Sequence, residues 1–169
     1  MVRLKGGDPL IFGRATEEIL ACRAAGIPVE IVPGISAAQG AAAALGFSLT
    51  ERKVARRIQF VTGHGADGEL PADIDWSAVA DPAATTIVYM PRATMSQFAA
   101  AAIAVGLDPA TPAVAVANAT RADQAHVAGS LAEIAGQAEG LAPGAPLILI
   151  VGQVARTPAQ AANLLSAAA

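Results

Sequence analysis

Leu147-Ile-Leu-Ile-Val151 is a run of five aliphatic residues with no polar side chain on either alternating set. Successive side chains on a strand point to opposite faces, so a strand of this composition has to be covered on both sides. Shorter apolar or β-rich runs at 29–32, 58–62, 85–90 and 112–117 are each closed by Gly, Pro or Asn and read as further strands. Helix signals lie between them. Glu17 and Glu18 early, with Gly26 and Pro28 late, frame a helix around Ile19, Leu20 and Cys22. Ser36 is placed to cap a helix over 37–45 that Gly46 closes, and Thr94 with Gln97 reads as a capping box for a helix to about Ala104, before Gly106. Ser130 with Glu133 makes a second box for a helix to about Ala138, and Thr157, Pro158 and Gln160 open a terminal helix. Strands alternating with capped helices predict an α/β layered sheet.

A length of 169 residues suits one ordinary domain, or one domain with a fragment of another. The chain is 54% hydrophobic, but much of that is alanine, which supplies helix propensity more than core volume. No apolar run reaches bilayer-spanning length and no signal-peptide pattern opens the chain, so the expectation is a soluble cytoplasmic protein with no membrane partner. The single cysteine, Cys22, excludes an intrachain disulfide or a cysteine metal cluster and is predicted to be a buried core thiol. A net charge of −3 gives no global attraction for nucleic acid, so anion binding has to come from a local cluster. Residues 66–84, polar and interrupted by proline, read as a long connection with one helical turn near Trp76.

The most site-like stretch is Val2-Arg-Leu-Lys-Gly-Gly-Asp-Pro-Leu-Ile-Phe-Gly-Arg14. Residues 2–4 read as a strand end, Gly6 and Gly7 as points where backbone approaches a ligand closely, and Asp8-Pro9 as a tight turn. Asp8 then stands beyond the carboxyl end of a strand, where open α/β sheets bind ligands, and its carboxylate can accept hydrogen bonds from ribose hydroxyls or an ammonium group. The plainer alternative is a glycine-rich turn. The same logic recurs at Pro33-Gly34-Ile35-Ser36, where helix amides would face whatever sits above the sheet, or where Ser36 acts as a cap alone. His64, between two glycines, is expected to be a structural hydrogen-bonding histidine, and His126 a packing residue in a short strand.

GGDPLIFGRATEE, PGISAAQG, LTERKVARRIQFVTGH, VYM and NAT follow one another through most of the chain, to about Gly152. In that order they resemble the tetrapyrrole methylases, and within them the subgroup acting on uroporphyrinogen III rather than on later corrinoids. The resemblance implies a tetrapyrrole methylase fold, in which two α/β domains hold S-adenosylmethionine in the cleft between them. Residues 1–34 would be the end of the first domain and 35–169 the second. It also implies a homodimer and methyl transfer to two ring carbons of uroporphyrinogen III, giving precorrin-2 for siroheme or cobalamin, with S-adenosylhomocysteine as co-product and no metal. By the same resemblance, Gly6, Gly7, Asp8, Ile11, Ser36, Ala37, Met90 and Ala119 would occupy the positions that line the cofactor pocket. Ala119 stands where relatives usually carry glycine, which requires negative φ there. Arg14 either touches substrate or stabilises the turn. The strand-loop segment that precedes GGDP in the family, with its proton-handling residues, is not among these residues, so the catalytic residues are unassigned. Rival expectations are a methylase for another substrate, or a non-catalytic binding or oligomerisation module.

Arg52, Lys53, Arg56 and Arg57 put four cations in six residues. A solvated face is one explanation. The other is recognition of the acetate and propionate groups of uroporphyrinogen, to which the arginine fork is suited. Nucleic acid is disfavoured because no aromatic residue interleaves with the cations.

Overall fold

The computed structural model describes residues 1–156, and the helix expected at Thr157, Pro158 and Gln160 lies outside them. Five strands form one sheet: β1 (Arg57–Thr62), β2 (Ala84–Tyr89), β3 (Pro112–Ala117), β4 (Ala125–Ser130) and β5 (Leu147–Val151), in the order β1-β2-β5-β3-β4. β1 and β2 are parallel, while β5 runs antiparallel to both its neighbours and β4 antiparallel to β3. The carboxyl ends of β1, β2 and β3 therefore meet at one edge of the sheet.

β5 lies at the centre with every residue buried. Leu147, Leu149 and Val151 face a core shared with Val88, Ala113, Ala115 and Ala117, covered by Val79 of α3 (Trp76–Val79), Met95 and Phe98 of α4 (Met95–Ala104), and Leu131 and Ile134 of α5 (Leu131–Ala138). Ile148 and Ile150 face the other way, with Ile87, Val114 and Val116, against Ala38, Ala41 and Ala42 of α2 (Ala37–Leu45). The expected α/β layering is present, with helices on both faces. Alanine does more than composition indicated. Ala38, Ala41, Ala102, Ala113, Ala115 and Ala117 are fully buried, and side chains this small let backbones approach closely.

Two predicted strands are absent. Residues 2–4 and 29–32 belong to no ladder, and Val2, Leu4 and Val32 are 84, 83 and 74% exposed. A strand exists through hydrogen bonds to a neighbour, and these segments have no neighbour among the described residues. The helix between them, α1 (Ala15–Ala24), buries no residue, so Cys22 is half-buried rather than a core thiol. Its acidic first turn and Gly26, with φ of 68°, match the expected start and stop.

Capping follows prediction at one of the two boxes. The Ser130 hydroxyl donates to Glu133 Oε2 at 2.7 Å and the reciprocal box is formed. Thr94 caps no amide, because its buried hydroxyl donates to the carbonyl of Gly63 and ties the loop after β1 to the start of α4. The helical turn expected near Trp76 is α3, capped by Asp75, whose carboxylate accepts from the Ser77 and Ala78 amides at 3.1 and 3.2 Å. Bonds from the Ser77 hydroxyl, first, and from the Ala78 amide hold the Asp75 carboxyl below its ordinary range. No helix of the described residues is long and apolar enough to cross a membrane.

The core and the opening segment should respond differently to truncation. Leu149→Ala is expected to lower the unfolding free energy by about 2–5 kcal/mol. Val32→Ala is expected to change it by less than about 0.5 kcal/mol. Urea denaturation followed by circular dichroism separates the two, and equal losses would show that residues 29–32 are packed.

Candidate functional site

Three of the seven left-handed non-glycine residues among the described residues lie at the edge where β2 and β3 end. Met90, directly after β2, has φ of 55°, and Asn118 and Thr120, directly after β3, have φ of 49° and 68°. Left-handed non-glycine residues cost about 1–3 kcal/mol each and persist where surrounding bonds over-determine them. Those bonds are present. The Asn118 amide donates to the Pro146 carbonyl at 3.0 Å, its side chain donates to Asp123 Oδ2 at 2.8 Å, and the Thr120 amide donates to Gln124 Oε1 at 2.7 Å. Ala119 is not among the left-handed residues, which satisfies the condition set for alanine at that position.

Asp8 joins two loops. One carboxylate oxygen accepts from the Leu10 amide at 2.8 Å, closing the turn, and the other accepts from the Gly34 amide at 2.9 Å, across 26 residues. Each oxygen retains a lone pair, but both are fixed by backbone. The loops are in close contact: a Cβ at Gly34 would lie 3.0 Å from the Gly7 carbonyl oxygen and 3.2 Å from Asp8 Cα. A Cβ at Gly7 would lie 3.5 Å from the Ile35 carbonyl oxygen, whereas one at Gly6 would meet nothing within 4 Å. Gly13 is a requirement the sequence did not reveal, since a Cβ there would collide with the Pro9 carbonyl. The Ile11 amide donates to the Asp8 carbonyl at 3.3 Å, which places Ile11 in the same turn.

Ion pairs hold α1 against this turn. Lys5 Nζ donates to the Gly13 carbonyl at 2.7 Å and to Glu18 Oε1 at 2.8 Å, and Arg3 reaches the same carboxylate at 3.2 Å. The Lys5 hydrogen bond is the main cause that keeps the Glu18 carboxyl below its ordinary range. Arg14 pairs with Glu17 at 2.9 Å on the surface, which is the turn-stabilising alternative.

Tyr89 connects the parts, and the sequence reading passed over it. Its hydroxyl donates to Ser36 Oγ at 2.8 Å and lies 3.4 Å from the Ala38 amide in the first turn of α2. Its ring is 5.0 Å from Phe12, just beyond the Asp8 turn, and 5.8 Å from Phe60 of β1. Being the only tyrosine of the chain, at the end of a predicted strand, was the available signal. Ser36 is buried at 3% exposure and begins α2, but its hydroxyl donates to Gln39 Oε1 and accepts from no helix amide, so the expected side-chain cap is not made. Ala37, Tyr89 and Ala119 pack on one apolar cluster, and a Cβ at Gly40 would approach Thr120 Cγ2 to 2.9 Å. The structure thus gathers Gly7, Asp8, Ser36, Ala37, Met90 and Ala119 around Tyr89, with Ile11 and Gly6 on the outer loop.

Other candidates lie elsewhere. Arg57 opens β1, so the cations at 52–57 sit at the edge opposite Met90, about 16 Å away along the strand at ~3.3 Å per residue. They therefore stand apart from the edge where Asp8, Tyr89 and Met90 meet. His64 is exposed, and its bonds with the Thr62 hydroxyl use its backbone amide and carbonyl. His126 is exposed on edge strand β4 rather than packed. The described residues contain no group of three or more His, Cys, Asp or Glu placed to hold a metal ion.

Comparison with known proteins places these features in context. The family model of the Tetrapyrrole (Corrin/Porphyrin) Methylases matches residues 1–135. A siroheme synthase of Gluconacetobacter diazotrophicus is 45% identical over 157 residues, which are 92% of this chain and 33% of that protein. The uroporphyrinogen-III C-methyltransferase of Paracoccus denitrificans is 43% identical over 155 residues, covering 92% of this chain and 54% of that one. The crystal structure of uroporphyrin-III C-methyl transferase from Thermus thermophilus complexed with S-adenyl homocysteine matches with a TM-score of 0.75 at 33% identity, covering 91% of this chain and 66% of that chain. The chain spans about a third to a half of the length of these curated relatives.

Two measurements check the geometry. Tyr89→Phe, which removes the bond to Ser36, should lower stability by about 0.5–1.5 kcal/mol. A change of zero would show that the hydroxyl is not engaged. In an NMR titration the Glu18 carboxyl should titrate below the ordinary value of 4.5, and Lys5→Met should move it back up. The sign follows from the depressed pKa: the Lys5–Glu18 contribution to stability is complete above the unfolded-state value and is lost as pH falls through the folded-state value.

Proposed function

Because this chain belongs to the tetrapyrrole methylase family, we propose that it supplies one wall of a cleft for S-adenosylmethionine and takes part in C-methylation of uroporphyrinogen III on the route to siroheme or cobalamin. The single observation that carries the reading is the convergence of Gly7–Asp8, Ser36–Ala37, Met90 and Ala119 around Tyr89 at one sheet edge. That edge lies beyond the carboxyl ends of β1, β2 and β3, where α/β sheets bind ligands.

The residues fit such a group. Gly6 leaves open space, so backbone can lie against a ligand there. The Asp8 carboxylate is fixed by two amides and keeps one lone pair on each oxygen for ribose hydroxyls. α2 presents its amino-terminal amides beside the buried Ser36. Met90 is 45% exposed, as a contact residue has to be. When bound, S-adenosylmethionine supplies a methyl group already activated as a sulfonium. The role assigned to Gly6, Gly7, Asp8, Ile11, Ser36, Ala37, Met90 and Ala119 is therefore alignment, worth most where the partners are held rigid before the reaction. No residue of this chain is assigned the proton lost from the ring carbon.

We assign residues 1–34 to the end of a first methylase domain and 35–169 to the second. The uncovered apolar side chains of Val2, Leu4, Val29, Ile31 and Val32 support that division, because they are spaced as sheet residues yet lack cover among the described residues. A homodimer and a cytoplasmic location go with the family reading.

Calorimetric titration with S-adenosylhomocysteine, on the chain and on Asp8→Ala, tests the assignment. The chain is expected to bind, and the variant to bind at least about tenfold more weakly, the loss of one charge-assisted hydrogen bond. Binding that Asp8→Ala leaves unchanged would remove Asp8 from the site. No binding by the unaltered chain would favour the second reading, a folded module whose cleft is complete only with the remaining length found in its relatives.

A further inference from the structure

The cations at 52–57 lie at the sheet edge opposite the candidate site, and their loop is ordered by backbone bonds. Glu51 and Ala55 exchange backbone bonds of 2.9 Å in both directions, and the Val54 amide adds a third to Glu51 at 3.1 Å. The loop is anchored on both flanks. Leu49 is buried with its carbonyl accepting from the Thr85 hydroxyl at 2.9 Å, Ala55 is fully buried, and the Arg56 amide donates to Ala83 at 3.2 Å. Two carboxylates lie nearby, and both are committed, Asp81 to Arg57 and Glu51 to Arg156. Arg52, Lys53 and Arg56 are exposed and make no ion pair among the described residues. Residues 157–169 contain no Asp or Glu side chain to neutralise them.

The rest of the chain has the opposite sign. Apart from residues 51–57, Asp81 and Arg156, the chain carries six cations and twelve carboxylates. A polyphosphate backbone would be repelled by most of that surface, and the loop has no aromatic residue on which a base could stack. A small polyanion is disfavoured by shape. Small-molecule sites are concave, and the one cavity among those found at this end, lined by Asp81, Pro82 and Ala84, has a volume of about 10 Å³, room for a single water. An exposed, backbone-ordered set of three cations suits carboxylates carried on another polypeptide.

We propose that Arg52, Lys53 and Arg56 form a docking surface for an acidic polypeptide segment, at the sheet edge opposite the cofactor cleft. Arg57 is not part of it, because its charge is used on Asp81. The surface steers and orients a partner through charge, so its affinity falls as salt rises.

The test uses the whole chain and an oligoglutamate peptide as probe. At low salt the peptide should bind, with amide shifts confined to residues near 50–57 and affinity falling steeply as salt is added. Arg52→Ala/Lys53→Asn/Arg56→Ala should weaken binding at least tenfold with an unchanged urea midpoint; asparagine is chosen because Lys53 has φ of 72°. If that variant is destabilised, the single reversal Arg56→Glu should show the same direction of loss. A control, Arg23→Ala/Arg121→Ala, should bind as the unaltered chain does. Binding that survives both loop variants, shifts scattered over the surface, or no binding at low salt would overturn the proposal. Tighter binding of oligo-dT would replace it with nucleic acid, and citrate binding as tightly as the peptide would replace it with a small polycarboxylate. None of these outcomes depends on S-adenosylhomocysteine.

Discussion

The two-sided burial of β5 is the constraint on which the molecule depends. A strand of five aliphatic residues with no polar face is stable only at the centre of a covered sheet, and β5 is hydrogen-bonded on both sides, to β2 and to β3. Its alternation assigns the two cores: Leu147, Leu149 and Val151 to the side of α4 and α5, Ile148 and Ile150 to the side of α2. Once β2 and β3 flank β5 in the same direction, their carboxyl ends must emerge together. Met90 and Asn118 are therefore neighbours at one edge because of what β5 buries, although neither touches it in sequence.

The same sheet explains why small residues recur near that edge. α2 approaches the sheet through Ala38, Ala41 and Ala42, and a Cβ at Gly40 would have to displace the Thr120 methyl group. A bulkier helix face would lift the amino terminus of α2, carrying Ser36 away from Tyr89 and the Gly34 loop away from Asp8. The alanine content thus has a local function in packing, which overall composition conceals, because helix propensity and close approach call for the same residue.

Element boundaries were legible wherever local chemistry decided them. β3, β5, α2, α4 and α5 lie where periodicity and start or stop residues put them, and the Ser130–Glu133 box is formed. Prediction failed where the deciding partner is distant in sequence. The Thr94 hydroxyl has the local geometry of a cap, but its actual partner is Gly63, 31 residues away; the Ser36 hydroxyl donates locally to Gln39 and accepts from Tyr89, 53 residues away. Residues 2–4 and 29–32 have strand composition without a ladder, and composition cannot state whether a neighbour is present. Of the site, the motif positions were visible as a resemblance, but the Asp8–Gly34 bond that unites two of them was not.

β1 finally shows how one element can separate two chemistries. At its carboxyl end Gly63 is locked to Tyr89 and Thr94, on the edge of the cleft; at its amino end Arg57 is locked to Asp81, beside the basic loop. In each case a buried or paired group fixes the backbone, and the residues next to it are left exposed. Rigidity in this molecule is placed immediately beside the surfaces available for contact, so a ligand at either end meets groups whose ordering cost was met on folding. The left-handed φ values at Lys53 and Met90 fall beside those same junctions, and both side chains are exposed. Strain held by neighbouring hydrogen bonds, rather than by the residue's own preference, marks where the fold presents side chains instead of packing them.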